Sequence, residues 1–465
     1  EEVKIGSNRS SDVTRYMLTS ILEEEDEEED EEDENDDGQA EESYEDSEEI
    51  FSNESNRQSS QEKSKGTSLL EEDTSTSPAT TSYYTADGTA MTTPRPSRNI
   101  HSTPFKEALT PGRCRKSGLM LSARDKVLQQ CNQTQPISFN ECIPPSMMAK
   151  CVKIGEGVYG EVFRSERRNQ SVALKIIPIE GDFLVNDEQQ KKFDEILPEI
   201  VISRELSALS EGEDNCTPNF VQVKGVSLVQ GSYPQKLLDC WEAYHKSRGS
   251  QNDHPEMFPD DQLFVIFEFA DSGYDLESVQ FTDSMRAKAV LQQVALSLAV
   301  AEQELQFEHR DLHWGNVLVK TTKEEYMTYV INGQEFSLPS NGVQVAIIDF
   351  TMSRLSKDGC AVFCDLSVDE TLFLGEGDYQ FDVYRQMKEE NGNDWKTFHP
   401  FTNVLWLHYL CDKLRGKTYK STSKEHQSCM REFRTLHREL LDYSSATHVI
   451  EETQFFEPEQ HELES

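Results

Sequence analysis

The sequence predicts an α+β fold in two lobes, a small β-rich lobe followed by a mostly helical one. Three observations lead there. Apolar clusters are scarce up to about residue 130 and frequent from about residue 136. The first apolar segments are short and strand-like, and the first two flank a glycine-rich turn at 155–160. The later segments are longer and repeat with helical spacing.

Taken in order, Val152–Ile154 and Glu161–Arg164 read as two strands, and Val172–Ile177 as a third. Ile196–Leu209 places Ile200, Val201, Leu206 and Leu209 on one helical face. Leu263–Phe269 is a continuous apolar run broken by Glu268, as in a buried strand. Ala287–Phe307 is a long helix, and Val343–Phe350 a further strand. Residues 401–445 read as helices, among them Val404–Leu414 and Met430–Leu441. Residues 457–465 are expected to be a C-terminal tail.

Residues 1–130 are expected to be a disordered acidic, Ser/Thr-rich tail, because they hold too little apolar surface to offset the entropy of ordering. From Glu23 to Asp37 every residue except Asn35 is Asp or Glu. Residues 95–126 turn basic and carry Thr93-Pro94, Thr103-Pro104 and Thr110-Pro111 within or beside them, a pattern suited to proline-directed, mitotic kinases acting on Thr93, Thr103 and Thr110. The 465 residues carry a net charge of −41, from 86 acidic and 45 basic side chains. That balance disfavours direct, sequence-specific nucleic-acid binding and suits basic partners, histone-like tails among them. The ten cysteines form no metal-type pairing, and Cys360 and Cys364 lack a matching pair. No apolar leader is expected after Glu1-Glu2-Val3-Lys4, and no run of about 18 apolar residues would span a membrane.

The chemistry lies in four segments. His309-Arg310-Asp311-Leu312-His313-Trp314-Gly315-Asn316 matches H-R-D-x-x-x-x-N, the catalytic loop of protein kinases. There Asp311 accepts the proton of an attacking hydroxyl, and Asn316 binds a metal ion. Gly155-Glu156-Gly157-Val158-Tyr159-Gly160 gives G-x-G-x-x-G and continues as a strand, which favours a loop over nucleotide phosphates rather than a Rossmann turn. Val172-Ala173-Leu174-Lys175 follows, and Lys175 is expected to contact the phosphates of ATP. Glu199 is its expected partner on the next helix. Glu205 falls on another face, and Glu195 precedes Pro198, a residue suited to a first helical turn. Val162 and Ala173, on the flanking strands, join Gly155, Gly157 and Gly160 in the expected ATP-binding set. Asp349 ends an apolar run and is expected to bind magnesium with Asn316. Thr351 stands two residues on, where a glycine is usual, and should hold that segment in one state. In this chain order the four segments predict a bilobal protein-kinase-like fold.

The catalytic loop, Asp349-Phe350-Thr351, Gly375-Glu376-Gly377-Asp378-Tyr379-Gln380-Phe381-Asp382-Val383-Tyr384-Arg385 and Tyr443-Ser444-Ser445-Ala446-Thr447 resemble the haspin family of atypical protein kinases. The resemblance covers about residues 136–456 and implies an N-lobe at 136–269, a hinge at 270–273 and a C-lobe at 274–456. It implies an ATP- and Mg2+-dependent kinase that phosphorylates the third-position threonine of the histone H3 tail on the nucleosome. It places that activity in the nucleus, on mitotic chromosomes and centromeres. It implies Phe269 as gatekeeper, Ala270 and Asp271 as hinge, and Asp275 as a contact to ribose and substrate. Glu277, Glu376 and Asp378 would face the histone tail, and His313 is either a substrate contact or a structural histidine. The absence of an A-P-E motif after Asp349 fits a family without the usual phosphorylation switch. The basic segment is open to two readings, a cis-inhibitor of an acidic cleft or a nuclear localisation patch. Two alternatives compete for the whole chain: a small-molecule kinase of choline or aminoglycoside type, and a pseudokinase scaffold on chromatin.

Overall fold

The computed structural model describes residues 121–456. Most of the expected tail, including the acidic tract and Thr93, Thr103 and Thr110, lies outside the described residues, as does 457–465.

The β-rich lobe is built on a five-stranded antiparallel sheet. Its strands are β1 (Val152–Gly157), β2 (Gly160–Arg167), β3 (Gln170–Ile179), β6 (Val223–Gln230) and β7 (Leu263–Ala270), in the order β1-β2-β3-β7-β6. A two-residue hairpin, β4 (Leu184–Val185) with β5 (Glu188–Gln189), follows β3. Alternation along β3 sorts its side chains onto two faces. Val172, Leu174 and Ile176 pack outward with Phe163, Phe264 and Ile266 against α2 (Phe139–Cys142), α3 (Pro145–Met148) and α5 (Gln235–Arg248). Ile177 and Ile179 pack inward, against α4 (Phe193–Ala208) and the main core. The sheet is therefore covered on both faces. β6 and α5 are not among the elements expected from the sequence.

Two expectations need correction. The tail does not extend to residue 130. Ser122 caps α1 (Ala123–Gln130) through a reciprocal capping box with Asp125, and Val127 and Leu128 are buried. This helix packs on α4, where the Arg204 guanidinium donates to the Gln130 carbonyl at 2.7 Å. The segment after it covers the β6 edge, with Ile137 N donating to Leu228 O at 3.0 Å and Gln230 N to Ile137 O at 2.9 Å. Pro198 is also not in a first turn. α4 starts at Phe193, because the Glu195 carboxylate accepts from Lys192 N and the Glu180 carboxylate from Phe193 N.

The helical lobe surrounds α6 (Ser284–Leu305), which is buried along nearly its whole length and capped by Asp283. The expected helix over 287–307 is this one, ended by Gln306 in the left-handed region. α7 (Tyr379–Glu390), α8 (Phe401–Gly416), α9 (Lys424–Glu439) and α10 (Ala446–Glu452) pack around it. A small sheet has the order β12 (Val343–Ile347), β9 (Val317–Thr321), β8 (Tyr274–Asp275). Two hairpins complete the lobe, β10 (Tyr326–Ile331) with β11 (Gln334–Pro339) and β13 (Arg354–Lys357) with β14 (Cys360–Phe363). No helix among the described residues is long and apolar enough to cross a membrane.

Leu128→Ala should cost about 2–4 kcal/mol, the usual cost of truncating a buried leucine. Thermal unfolding of the whole chain measures it; an unchanged midpoint would mean that α1 does not pack on α4.

Candidate active site

The expected lysine and glutamate meet. Register places Val162 and Phe267 opposite Lys175, and Arg164 and Phe269 opposite Ala173, so all six side chains share the inward face. From there Lys175 Nζ reaches Glu199 Oε1 at 3.0 Å and Asp349 Oδ2 at 3.4 Å. Burial opposes the lysine charge, but the two carboxylates outweigh it and raise the Lys175 pKa. Burial likewise works against the Glu199 charge, yet Lys175 and then Lys191 bring its pKa below the ordinary value. Lys191, at 2.8 Å from Glu199 Oε2, is a residue the motifs do not mark. Glu205, the rejected candidate, pairs instead with Lys357 at 2.8 Å.

The gatekeeper assignment moves. A side chain guards the back of such a pocket only if it lies beside the lysine. Phe267 directly opposes Lys175 and is fully buried, whereas Phe269 opposes Ala173 and stacks on Phe267 at 5.5 Å. Phe269 is thus one step nearer the connector. Beyond it, Ala270 N donates to Gln222 O at 2.9 Å, and the Asp271 carboxylate accepts from Ser171 Oγ at 2.5 Å. The chain then crosses between lobes at Gly273, where φ is +96° and a Cβ would collide with the Val319 carbonyl oxygen. Only glycine fits that crossing.

The catalytic loop occupies the turn between α6 and β9. Arg310, with φ of 67°, is completely buried. Its guanidinium pairs with Glu308 at 3.1 Å and donates to the Trp395 carbonyl at 2.7 Å. Glu308 also accepts from His399 N and Thr402 Oγ1. The arginine charge is consumed internally, so it offers nothing to a phosphorylated activation segment. His309 Nε2 donates to Ile348 O at 3.0 Å, and burial brings its pKa down to about 4.

Asp311 is held by two donors. Asn316 Nδ2 donates to its carbonyl at 2.9 Å and lies 3.4 Å from Oδ2. The Tyr384 hydroxyl donates to Oδ1 at 2.5 Å. Burial raises the Asp311 pKa; His313, Tyr384 and Asn316 oppose it without cancelling it. His313 accepts from Gly315 N through Nδ1, which leaves Nε2 to carry the proton facing Asp311 Oδ1 at 3.9 Å. Its position fits both of the expected roles.

The strand before Asp349 ends at Ile347, because Ile348 N turns to Asn316 O and Asp349 takes a φ of 59°. Thr351 ties the aspartate through hydrogen bonds rather than through its own backbone preference, its hydroxyl and amide donating to Oδ1 at 2.6 and 3.2 Å. Burial would raise the Asp349 pKa, but Lys175 and the Thr351 bonds hold it below the ordinary carboxylate range. Ionised Asp349 and the amide oxygen of Asn316 form a hard oxygen pair, which suits a magnesium ion completed by phosphate oxygens and water. Among the described residues no three-residue His, Cys, Asp or Glu cluster competes for a metal.

The acidic residues are placed unequally. The surroundings of Glu277 include Asp275, His313, Lys413 and Asp378; burial and then Asp275 raise its pKa. Asp275 bonds Ser278 N at 2.7 Å. Asp378 caps α7 through Gln380 N and pairs with Lys413. Glu376 lies exposed on the turn before α7.

Residues 45–465 match the model of the family described as the haspin-like kinase domain. The chain belongs to the haspin-like kinase family. It is 48% identical to the bovine serine/threonine-protein kinase haspin over 334 residues, covering 71% of this chain and 43% of that protein. It is 49% identical to the mouse haspin over 335 residues, covering 71% and 44%. Its identity to the Drosophila melanogaster haspin homolog is 42% over 333 residues, covering 70% and 59%. The chain thus matches under half the length of the bovine and mouse proteins. The haspin match begins well before residue 136, where the motif resemblance starts.

If Asp311 serves as a base it must be ionised, and activity should then fall as pH drops through its raised pKa. Tyr384→Phe removes a donor that favours the carboxylate, and the acid limb of kcat/KM should move to higher pH. A pH–rate profile of both proteins measures this; superimposed acid limbs would show that Tyr384 does not tune Asp311.

Proposed function

We propose that this chain is an ATP- and Mg2+-dependent serine/threonine protein kinase whose substrate is the N-terminal tail of histone H3, modified at the third-position threonine. The observation that carries the reading is Asp311, held between Tyr384 and Asn316 and raised in pKa by burial. A carboxylate so placed accepts the proton of a threonine hydroxyl as the hydroxyl attacks. Lys175, fixed by Glu199, orients the phosphates from the opposite side. Asn316 and Asp349 would hold magnesium, which supplies charge neutralisation to the transferring phosphoryl group. Val162, Ala173 and Phe269 share the face that would cover the adenine, with Gly155, Gly157 and Gly160 over the phosphates.

Substrate choice follows from charge. Asp275 and Glu277 lie beside the catalytic loop, and Glu376 and Asp378 lead into α7. Lys413 offsets Asp378, so Asp275, Glu277 and Glu376 bear more of the attraction for a basic peptide. A tail with a free amine, an arginine and a lysine around its threonine meets that pattern. The same reading places the protein in the nucleus, on mitotic chromosomes and centromeres, where nucleosomes present the H3 tail. It makes Thr93, Thr103 and Thr110 sites for mitotic kinases.

Incubation with Mg·ATP and an H3 N-terminal peptide should phosphorylate the third-position threonine. Asp311→Asn should lower the rate by about 10²–10⁴-fold. Equal rates for the two proteins would overturn the mechanism. Transfer to an amino alcohol or aminoglycoside but not to peptide would favour a small-molecule kinase. Nucleotide binding without transfer would favour a scaffold.

A further inference from the structure

The tip of the glycine-rich turn is tied down from outside the nucleotide site by two elements that no motif marks. The first is the β4–β5 hairpin. Asn186 is 5% exposed, and its Nδ2 donates to the Val158 carbonyl at 2.8 Å. The second is the segment after α5. Asn252 is 6% exposed, and its Nδ2 donates to the Gly157 carbonyl at 3.1 Å and to Glu161 Oε1 at 2.8 Å.

These asparagines are themselves held. Asn186 N donates to Asp253 Oδ2 at 2.8 Å, and Asp253 N returns a bond to Asn186 Oδ1 at 2.7 Å. Hairpin and segment are thereby joined to each other over the turn. The segment is anchored in turn on β1. Glu156 Oε1 accepts from Gln251 N at 2.8 Å, and its Oε2 accepts from Ser250 Oγ at 2.5 Å. Beneath them the wholly buried Lys153 ammonium pairs with Glu156 and Glu161 and lies 4.6 Å from the centre of the Tyr244 ring on α5. A third tie reaches the same tip, since Lys191 Nζ lies 4.5 Å from the centre of the Tyr159 ring while it pairs with Glu199.

Loops of this kind must order when they close over phosphates, and that ordering subtracts from affinity. A backbone carbonyl facing a triphosphate is also repelled by it. Donation from an asparagine to each of two neighbouring carbonyls addresses both costs. It fixes the turn and occupies the oxygens that would oppose an anion.

We propose that Asn186 and Asn252 are positioning residues for the nucleotide, each fixing one carbonyl of the Gly157-Val158 tip so that the phosphate-covering loop is ordered before nucleotide arrives. The assignment rests on the reading of 155–160 as the ATP-phosphate loop.

The test uses the full chain with Asn186→Ala, Asn252→Ala, the double variant and the near-isosteric Asn252→Asp, which keeps the volume and, in its ionised form above neutral pH, cannot donate. Three quantities are measured: Mg·ADP affinity by calorimetry, amide exchange of residues 155–160 without nucleotide, and KM for ATP against kcat on an H3 peptide. Each single variant should weaken Mg·ADP binding about fivefold, the loss expected for one net hydrogen bond. Exchange at 155–160 should accelerate, KM for ATP should rise, and kcat should change less than KM. Asn252→Asp should behave at least as severely as Asn252→Ala. A purely structural role would lower the melting temperature and kcat without this split between KM and kcat, and that result would overturn the proposal. So would unchanged affinity and exchange in folded Asn252→Asp. A wild type that binds no Mg·ATP would sink the kinase reading and this assignment together, whereas normal wild-type binding with unaltered variants would sink the assignment alone.

Discussion

The ion pair between Lys175 and Glu199 is the constraint around which this domain is arranged. Both groups are withdrawn from water, and removing one partner of such a pair leaves an uncompensated charge that typically costs about 3–5 kcal/mol. The surrounding structure keeps the two together. β3 delivers the lysine on the inward face, and α4 presents the glutamate from a helix that α1 buttresses from behind. Lys191 supplies a second positive charge to Glu199, and Asp349 a second negative charge to Lys175. Four charges alternate along this line, so loss of α4 position would unbalance all of them.

The catalytic loop is organised by a parallel device in the other lobe. Glu308 is fully buried between Arg310 and α8, and it neutralises the arginine from within the loop itself. The consequence for regulation is direct. A kinase whose loop arginine waits for a phosphate is ordered by that phosphate, whereas here the order is already present. Thr351 acts in the same sense on Asp349 by tying its carboxylate to the adjacent backbone.

Groups fixed by local spacing were legible in the sequence. Asp311, Asn316, Lys175, Glu199 and Asp349 fall where the motifs place them, because each motif specifies a turn and its neighbours. Groups fixed by long-range packing were not. Tyr384 meets Asp311 across 73 positions, and Asn252 meets Gly157 across 95. Phe267 and Phe269 share one strand face, so alternation cannot tell them apart; only register against Lys175 does. α1 was hidden because eight residues with two apolar contacts resemble the polar stretch before them. α5 had a readable signal in Leu237, Leu238 and Trp241, now seen buried against the sheet. Asp378 carries a local role that its motif did not announce, since its position at a helix start also makes it a cap.

The segment at 133–137 has a bearing on handling the domain. Its main chain pairs with one end of the outer edge of β6 through Leu228 O and Gln230 N, and the Gln133 side chain bonds the Leu228 amide and carbonyl beside it. The sequence alone would place the domain start at 136, inside this cover. A chain trimmed just past Ile137 would keep every catalytic group and yet leave the Leu228 carbonyl and the Gln230 amide open to strand addition. Self-association through that edge, rather than loss of chemistry, would then be the first sign of damage.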